Sequence, residues 1–263
     1  MHIPRLRSLI ILTFAGAAMG AGSAHGAAGA HVASGRHHLD AATLELTSTN
    51  WSGYAATGGT YTSVSSSWVQ PQVKCTTRGI VAFWVGLDGW GSDSVEQDGT
   101  GVDCADGSPQ TFAWWETYPA NSVQEYGDPV DPGDRLTSTV TARGDGGYDL
   151  VLTDGTKGWT ENHVVGKPFG ARNASAEVVA EAVGSGGVIT PLPDFGSVRF
   201  TGSTIDGGTL QAVGAQGTDL TDINGTVIAA TGAADSSGDF TVATVPAATT
   251  AVATAPAAPA TTR

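Results

Sequence analysis

Turn-forming pairs punctuate this chain at short intervals: Asp88-Gly89, Asp98-Gly99, Asp106-Gly107, Gly144-Asp145-Gly146-Gly147, Asp154-Gly155, Asp206-Gly207 and Asn224-Gly225. Such pairs readily supply the positive φ that tight hairpin turns require. Between them lie short runs rich in β-branched and aromatic residues: Tyr61–Val69, Val81–Leu87, Gln110–Tyr118, Leu136–Ala142, Tyr148–Thr153, Ala176–Val183 and Ser197–Thr201. No amphipathic helical period interrupts them. Short strands at this spacing predict an all-β sandwich or barrel around one core.

The two ends read differently. Arg5 and Arg7 precede an apolar run from Leu9 to Ala18, and small residues follow through Ala24. This is the pattern of a secretory signal over residues 1–26, cleaved after Ala24 or Gly26. The run is too short to cross a membrane comfortably. Residues 27–47, rich in Ala, Gly and His, read as a leader or short pro-segment, and residues 48–245 as the ordered domain. Residues 246–263 are almost all Ala, Thr and Pro, a composition that buries too little apolar surface to offset its ordering entropy. A secreted protein with no membrane contact after cleavage is expected. Export permits a disulfide, and the two cysteines, Cys75 and Cys104, allow one intramolecular bridge.

Charge and composition remove several functions. The formal net charge is −13, from 12 basic and 25 acidic residues. Nucleic acid is therefore not expected as a partner, because phosphate binding needs clustered Lys and Arg. His31, His37 and His38 lie close together but lack the further fixed ligands of a metal site, so no metal and no cofactor are expected. Beyond the leader there is one histidine, His163, with no Gly-x-Ser-x-Gly elbow and no His-Glu-x-x-His segment. Pairing would remove the cysteines as nucleophiles. What remains is carboxylate chemistry assisted by neutral hydrogen-bond donors.

Strand alternation shows where that chemistry could sit. Phe112–Tyr118 puts Trp114, Glu116 and Tyr118 on one face; Trp84–Asp88 puts Trp84, Gly86 and Asp88 on one face, with Val85 and Leu87 in the core. Glu177–Val183 puts Glu177, Val179, Glu181 and Val183 on one face. Gln97 adds an unusual amide to a strand-like segment. A glutamate on such a face is usually just solvated. The aromatics are harder to dismiss, since exposing each large ring forfeits roughly 1.5–3 kcal/mol of burial. A concave aromatic-lined face that binds something extended accounts for them.

Five ordered blocks carry a likeness: Asn50-Trp51-Ser52-Gly53; Trp84-Val85-Gly86-Leu87-Asp88-Gly89; Glu96-Gln97 with Gly99 to Asp103; Ala113-Trp114-Trp115-Glu116-Thr117-Tyr118-Pro119; and Ala176-Glu177 to Glu181, followed by Asp194-Phe195-Gly196-Ser197-Val198. In these the chain resembles the glutamic peptidases, or eqolisins, secreted acid endopeptidases with a glutamate–glutamine pair. The resemblance implies a concanavalin-like, jelly-roll sandwich of two antiparallel sheets with a cleft across the concave one. It implies Gln97 and Glu181 as the catalytic pair, and Trp51, Trp84, Asp88, Trp114, Glu116 and Tyr118 as cleft-lining positions that bind substrate. The chain departs from the family pattern in three places. Glu96-Gln97-Asp98-Gly99 stands where the pattern has Leu-Gln-Thr-Gly, Ala182 stands where it has Asp, and the cysteine positions differ.

The expected reaction is peptide-bond hydrolysis by a water that Glu181 deprotonates, with Gln97 holding the water and bonding the oxyanion. The partners expected are protein or peptide substrates, met by a monomer in mild acid. Two carbohydrate readings compete. A glycoside hydrolase could pair Glu116 with Glu181, and a non-catalytic binding module could stack sugars on Trp84, Trp114 and Tyr118. Asn-x-Ser/Thr sequons at Asn50, Asn173 and Asn224 are compatible with loops.

Overall fold

The computed structural model describes residues 37–39, 46–185 and 188–246; the expected signal, the end of the tail and most of the leader lie outside the described residues. Every regular element among them is a strand. Fourteen strands form the body: β1 (Trp51–Thr57), β2 (Ser63–Val69), β3 (Ile80–Asp88), β4 (Val95–Asp103), β5 (Gln110–Tyr118), β6 (Asn121–Glu125), β7 (Arg135–Ala142), β8 (Tyr148–Asp154), β9 (Trp159–Val165), β10 (Ser175–Ala182), β11 (Ser197–Ile205), β12 (Gln216–Thr221), β13 (Val227–Thr231) and β14 (Phe240–Thr244).

These strands form one continuous antiparallel ladder, in the order β9-β8-β7-β2-β11-β14-β13-β12-β1-β10-β3-β4-β5-β6. The ladder doubles back at β13, giving two packed layers. One layer runs from β12 to β6 and the other from β9 to β14. Among the described residues the one parallel pairing joins Leu46–Ser48 to β12.

The core between the layers follows from alternation. Val81, Phe83, Val85 and Leu87 of β3 and Val178 and Ala180 of β10 meet Trp68, Leu136, Val140, Leu150, Leu152 and Phe200 from the other layer. Phe83 packs edge-on against Phe195, and Trp68 tilts against Phe200. The other face of the β12–β6 layer is also closed. There Trp51, Ile80, Ala82, Trp84, Val95, Trp114, Val123, Val179 and Val183 form a second apolar cluster. Strands β3 and β10 are thus buried along their whole length on both sides.

Asp98-Gly99 is not the turn its composition suggests; it lies inside β4. A Cβ on Gly99 would sit 2.2 Å from the Phe83 carbonyl oxygen and 2.8 Å from the Trp84 Cα. The glycine is there to admit β3, not to reverse the chain. Asp206-Gly207 behaves as expected, with φ of 50° and 75°. Cys75 and Cys104 are disulfide-bonded with Cα atoms 5.3 Å apart, which ties the loop before β3 to the end of β4.

Candidate active site

The register of β10 decides which groups share a face. Glu181 lies opposite Trp51 of β1 and Ala82 of β3. Gln97 lies opposite Gly86 of β3 and Glu116 of β5. Ala82 and Gly86 are an even number of residues apart, so Glu181, Gln97 and Glu116 project from the same side. Ala82, Gly86, Gly99 and Gly101 carry little or no side chain on this side, and Trp84 of β3 and Phe112 of β5 project onto it. The Phe112 ring lies where a Cβ on Gly101 would fall, at 2.4 Å.

Each polar group has a defined partner. The Trp84 indole Nε1 donates to Glu181 Oε2 at 2.9 Å, and Asn50 Nδ2 donates to Glu181 Oε1 at 3.2 Å. Ser48 Oγ donates to Asn50 Oδ1 at 3.0 Å and so orients that amide. Gln97 Nε2 donates to Glu116 Oε2 at 2.7 Å. All of Glu116, Glu181, Gln97 and Asn50 are buried.

Burial dominates the electrostatics. It pushes the Glu181 carboxyl up to about 8, against hydrogen bonds from Trp84, Asn50 and Trp51 that pull it down. Glu116 is raised well above the ordinary carboxylate range, first by burial and further by the charge of Glu181, with the Gln97 bond opposing. Glu177, four residues before Glu181 on the same face and opposite Gly86, is raised by burial and by Asp88, and neither of its oxygens has a hydrogen-bond partner among the described residues.

The sequence-predicted lining residues fall into three groups. Trp51, Trp84 and Trp114 are on the expected face, but they are at most 1% exposed. Trp51 packs edge-on against Trp84 with ring centroids 5.1 Å apart, so the rings satisfy one another instead of standing open to solvent. Tyr118 sits half-buried at the margin of this cluster. Asp88 is different. Its φ is 63°, and its carboxylate accepts the backbone N–H groups of Arg172 (2.7 Å), Asn173 (2.8 Å) and Ala174 (2.8 Å). It fastens the segment leading into β10 to the end of β3, and its oxygens are engaged in that task.

Some residues escaped the sequence reading. Asn50 was visible as part of a block and as a sequon, but burial makes it a partner of Glu181 and no place for a glycan. Glu96 and Asp98 flank Gln97 and project to the opposite side, between the layers, in register with Leu87 and Val85. Burial lifts Glu96 to about 9, with Asp88 adding, and Asp98 to about 8, with a Ser138 hydroxyl opposing. Alternation from Gln97 alone would have placed both. His163 stacks on Trp115, whose ring belongs to the inter-layer side, so the lone histidine beyond the leader is remote from Glu181. No group of three His, Cys, Asp or Glu among the described residues could hold a metal.

Comparison with known proteins meets this geometry. The model of the Peptidase A4 family matches residues 49–244. Aspergillopepsin-2 of Aspergillus niger is 27% identical over 194 residues, covering 65% of this chain and 68% of its own. The crystal structure of aspergilloglutamic peptidase from Aspergillus niger aligns with a TM-score of 0.55 at 27% identity, over 63% of this chain and 99% of that one. Scytalido-glutamic peptidase, solved with a transition state analog inhibitor, aligns with a TM-score of 0.65 at 24% identity, over 75% and 98%. The match runs through every strand of both layers, from β1 to β14, and includes the face that holds Gln97, Glu116 and Glu181. It decides for peptide-bond hydrolysis over the two carbohydrate readings, and the chain belongs to the peptidase A4 family, the glutamic-type peptidases.

Proposed function

We propose that this chain is an exported acid endopeptidase in which Glu181 activates water and Gln97 stabilises the tetrahedral intermediate. The observation that supports the reading is the shared face: the amide and the carboxyl project to one side of the same layer, each held by its own buried donor or acceptor, with Glu177 on that face level with Gln97 across Gly86 and Glu181 four residues further along β10. Burial holds the proton on Glu181 up to about 8. Solvent admitted with a substrate lifts part of the desolvation that holds it neutral, and its ionised form then becomes available in mild acid. As carboxylate it takes a proton from water, which attacks the scissile carbonyl; as acid it returns the proton to the leaving amine. The Gln97 amide meets the developing oxyanion, a contribution of about 3–4 kcal/mol to the barrier.

Protein or peptide chains are the substrates, cleaved by a monomer. Export rests on residues 1–26, which read as a secretory signal, and accords with the Cys75–Cys104 bond. The test is hydrolysis of denatured casein between pH 2 and 6 by Glu181→Gln and Gln97→Ala. Each variant is expected to lose activity by a factor of at least about a hundred while keeping the wild-type circular dichroism. Wild-type rates in either variant overturn the assignment.

A further inference from the structure

The contact between Gln97 and Glu116 goes beyond a shared neighbourhood. A primary amide presents nearly the same shape whichever way it is turned, and only its hydrogen-bond partners decide whether N–H or C=O faces a given side. Gln97 has one side-chain partner among the described residues, the Oε2 of Glu116 at 2.7 Å. The two are direct cross-strand neighbours on β4 and β5. On its other flank Gln97 faces Gly86, which has no side chain, and beyond it Glu177, level with Gln97 in the same row but not hydrogen-bonded to it. Gln97 Oε1 and Glu116 Oε1 have no partner among the described residues. A purely structural pair would satisfy both ends, since leaving buried polar atoms unmet destabilises a fold. This pair satisfies the inward N–H only and leaves the carbonyl of Gln97 uncommitted.

We infer that Glu116 is a positioning residue: by accepting one N–H of Gln97 it sets the amide's orientation, so that the remaining N–H and the Oε1 are presented to the reacting groups in one fixed arrangement. This rests on the reading above that Gln97 acts on the scissile carbonyl. Without the Glu116 acceptor the amide rotates between two arrangements, of which one is productive. The loss therefore falls on the chemical step and leaves substrate binding unaltered. Burial keeps Glu116 protonated through the acid range, where its carbonyl oxygen still accepts the bond.

The experiment compares Glu116→Gln and Glu116→Leu with Gln97→Ala, using a peptide substrate in mild acid. Glu116→Leu removes the acceptor, and kcat is expected to fall about two- to tenfold, the lower figure being an even split between the two arrangements, with KM unchanged. Glu116→Gln retains an acceptor and puts an NH2 in place of the protonated carboxyl's O–H, so a smaller fall in kcat is expected, again with KM unchanged. A second readout is independent of folding yield: the side-chain amide resonances of 15N-labelled glutamine, with Gln97 identified by its absence in Gln97→Ala. In Glu116→Gln the Gln97 pair is expected to shift and to lose the separation between its two protons. An unmoved Gln97 resonance, or unchanged kcat in both Glu116 variants, overturns the positioning role. Wild-type activity in Gln97→Ala would instead sink the reading of the site itself.

Discussion

Glu96 and Asp98 should make this protein progressively less stable as the pH rises from acid toward neutral. Both side chains are buried between the layers, and both Glu96 oxygens and one Asp98 oxygen have no partner among the described residues. Glu96 is raised from 4.5 to about 9 and Asp98 from 3.8 to about 8. In the unfolded chain these groups ionise at their ordinary values, so between about pH 5 and 8 the folded state holds two protons that the unfolded state has released. Stability then falls with rising pH by about 1.4 kcal/mol per pH unit for each group. From pH 5 to pH 8 the two together remove on the order of 8 kcal/mol, comparable with the whole stability of an ordinary domain, about 5–15 kcal/mol. Below about pH 4 the penalty is absent.

Glu116, Glu177 and Glu181 act in the same direction, so the wild-type slope approaches five protons. The perturbation is the double variant Glu96→Gln/Asp98→Asn, which keeps the shapes and abolishes the two ionisations. Urea unfolding followed by tryptophan fluorescence at pH 4, 5, 6 and 7 gives the slope of stability against pH. The double variant should lose about two protons' worth of that slope, so that its advantage over wild type grows steadily with pH. Parallel slopes in the two proteins would refute the reasoning.

The other expectations are more local. Gly99→Ala forces a Cβ to within 2.2 Å of a β3 carbonyl oxygen that cannot swing away; it should lower stability by about 3 kcal/mol, measured as the urea midpoint. Asp88→Ala strands three backbone N–H groups and leaves a non-glycine residue at positive φ. A loss of about 2–4 kcal/mol is expected, together with earlier proteolysis of the segment around residue 172. Breaking the Cys75–Cys104 bond by Cys75→Ser/Cys104→Ser releases a loop of 29 residues' separation. The expected loss is about 3–4 kcal/mol, read as a lower thermal midpoint, and no loss at all would contradict it.

Much of the architecture is written in local chemistry. The hairpin pairs and the β-branched runs locate β2, β3, β5, β7, β8, β10 and β11 to within a few residues. β9 and β12 to β14 were harder to read. Trp159–Val165 is an edge strand whose residues alternate between half-buried and exposed, and β13 is a short run of Val, Ile, Ala and Thr beside turn residues. Asp98-Gly99 misleads because one dipeptide serves two needs, reversal of a chain and close approach of a neighbour, and only tertiary structure distinguishes them.

The site was legible in its residue types and faces, since alternation correctly grouped Glu181 with Val179 and Trp114 with Glu116. It was not legible in its closure. That Trp51, Trp84 and Trp114 pack on one another depends on contacts between strands remote in sequence, as does the role of Asn50, which lies 131 residues from Glu181.

The doubling-back of a single ladder at β13 has a consequence for how this protein survives in crowded, partly unfolding conditions. Two separate sheets would offer four rims of unpaired backbone to other chains, whereas the ladder of the fourteen strands described above ends in two, along β6 and β9. Each of those carries its own deterrent: β6 is five residues long, and β9 sets Thr160, Glu161, Asn162 and His163 in succession. A protease released among its own partly digested substrates thus gives loose peptide strands little to zip onto.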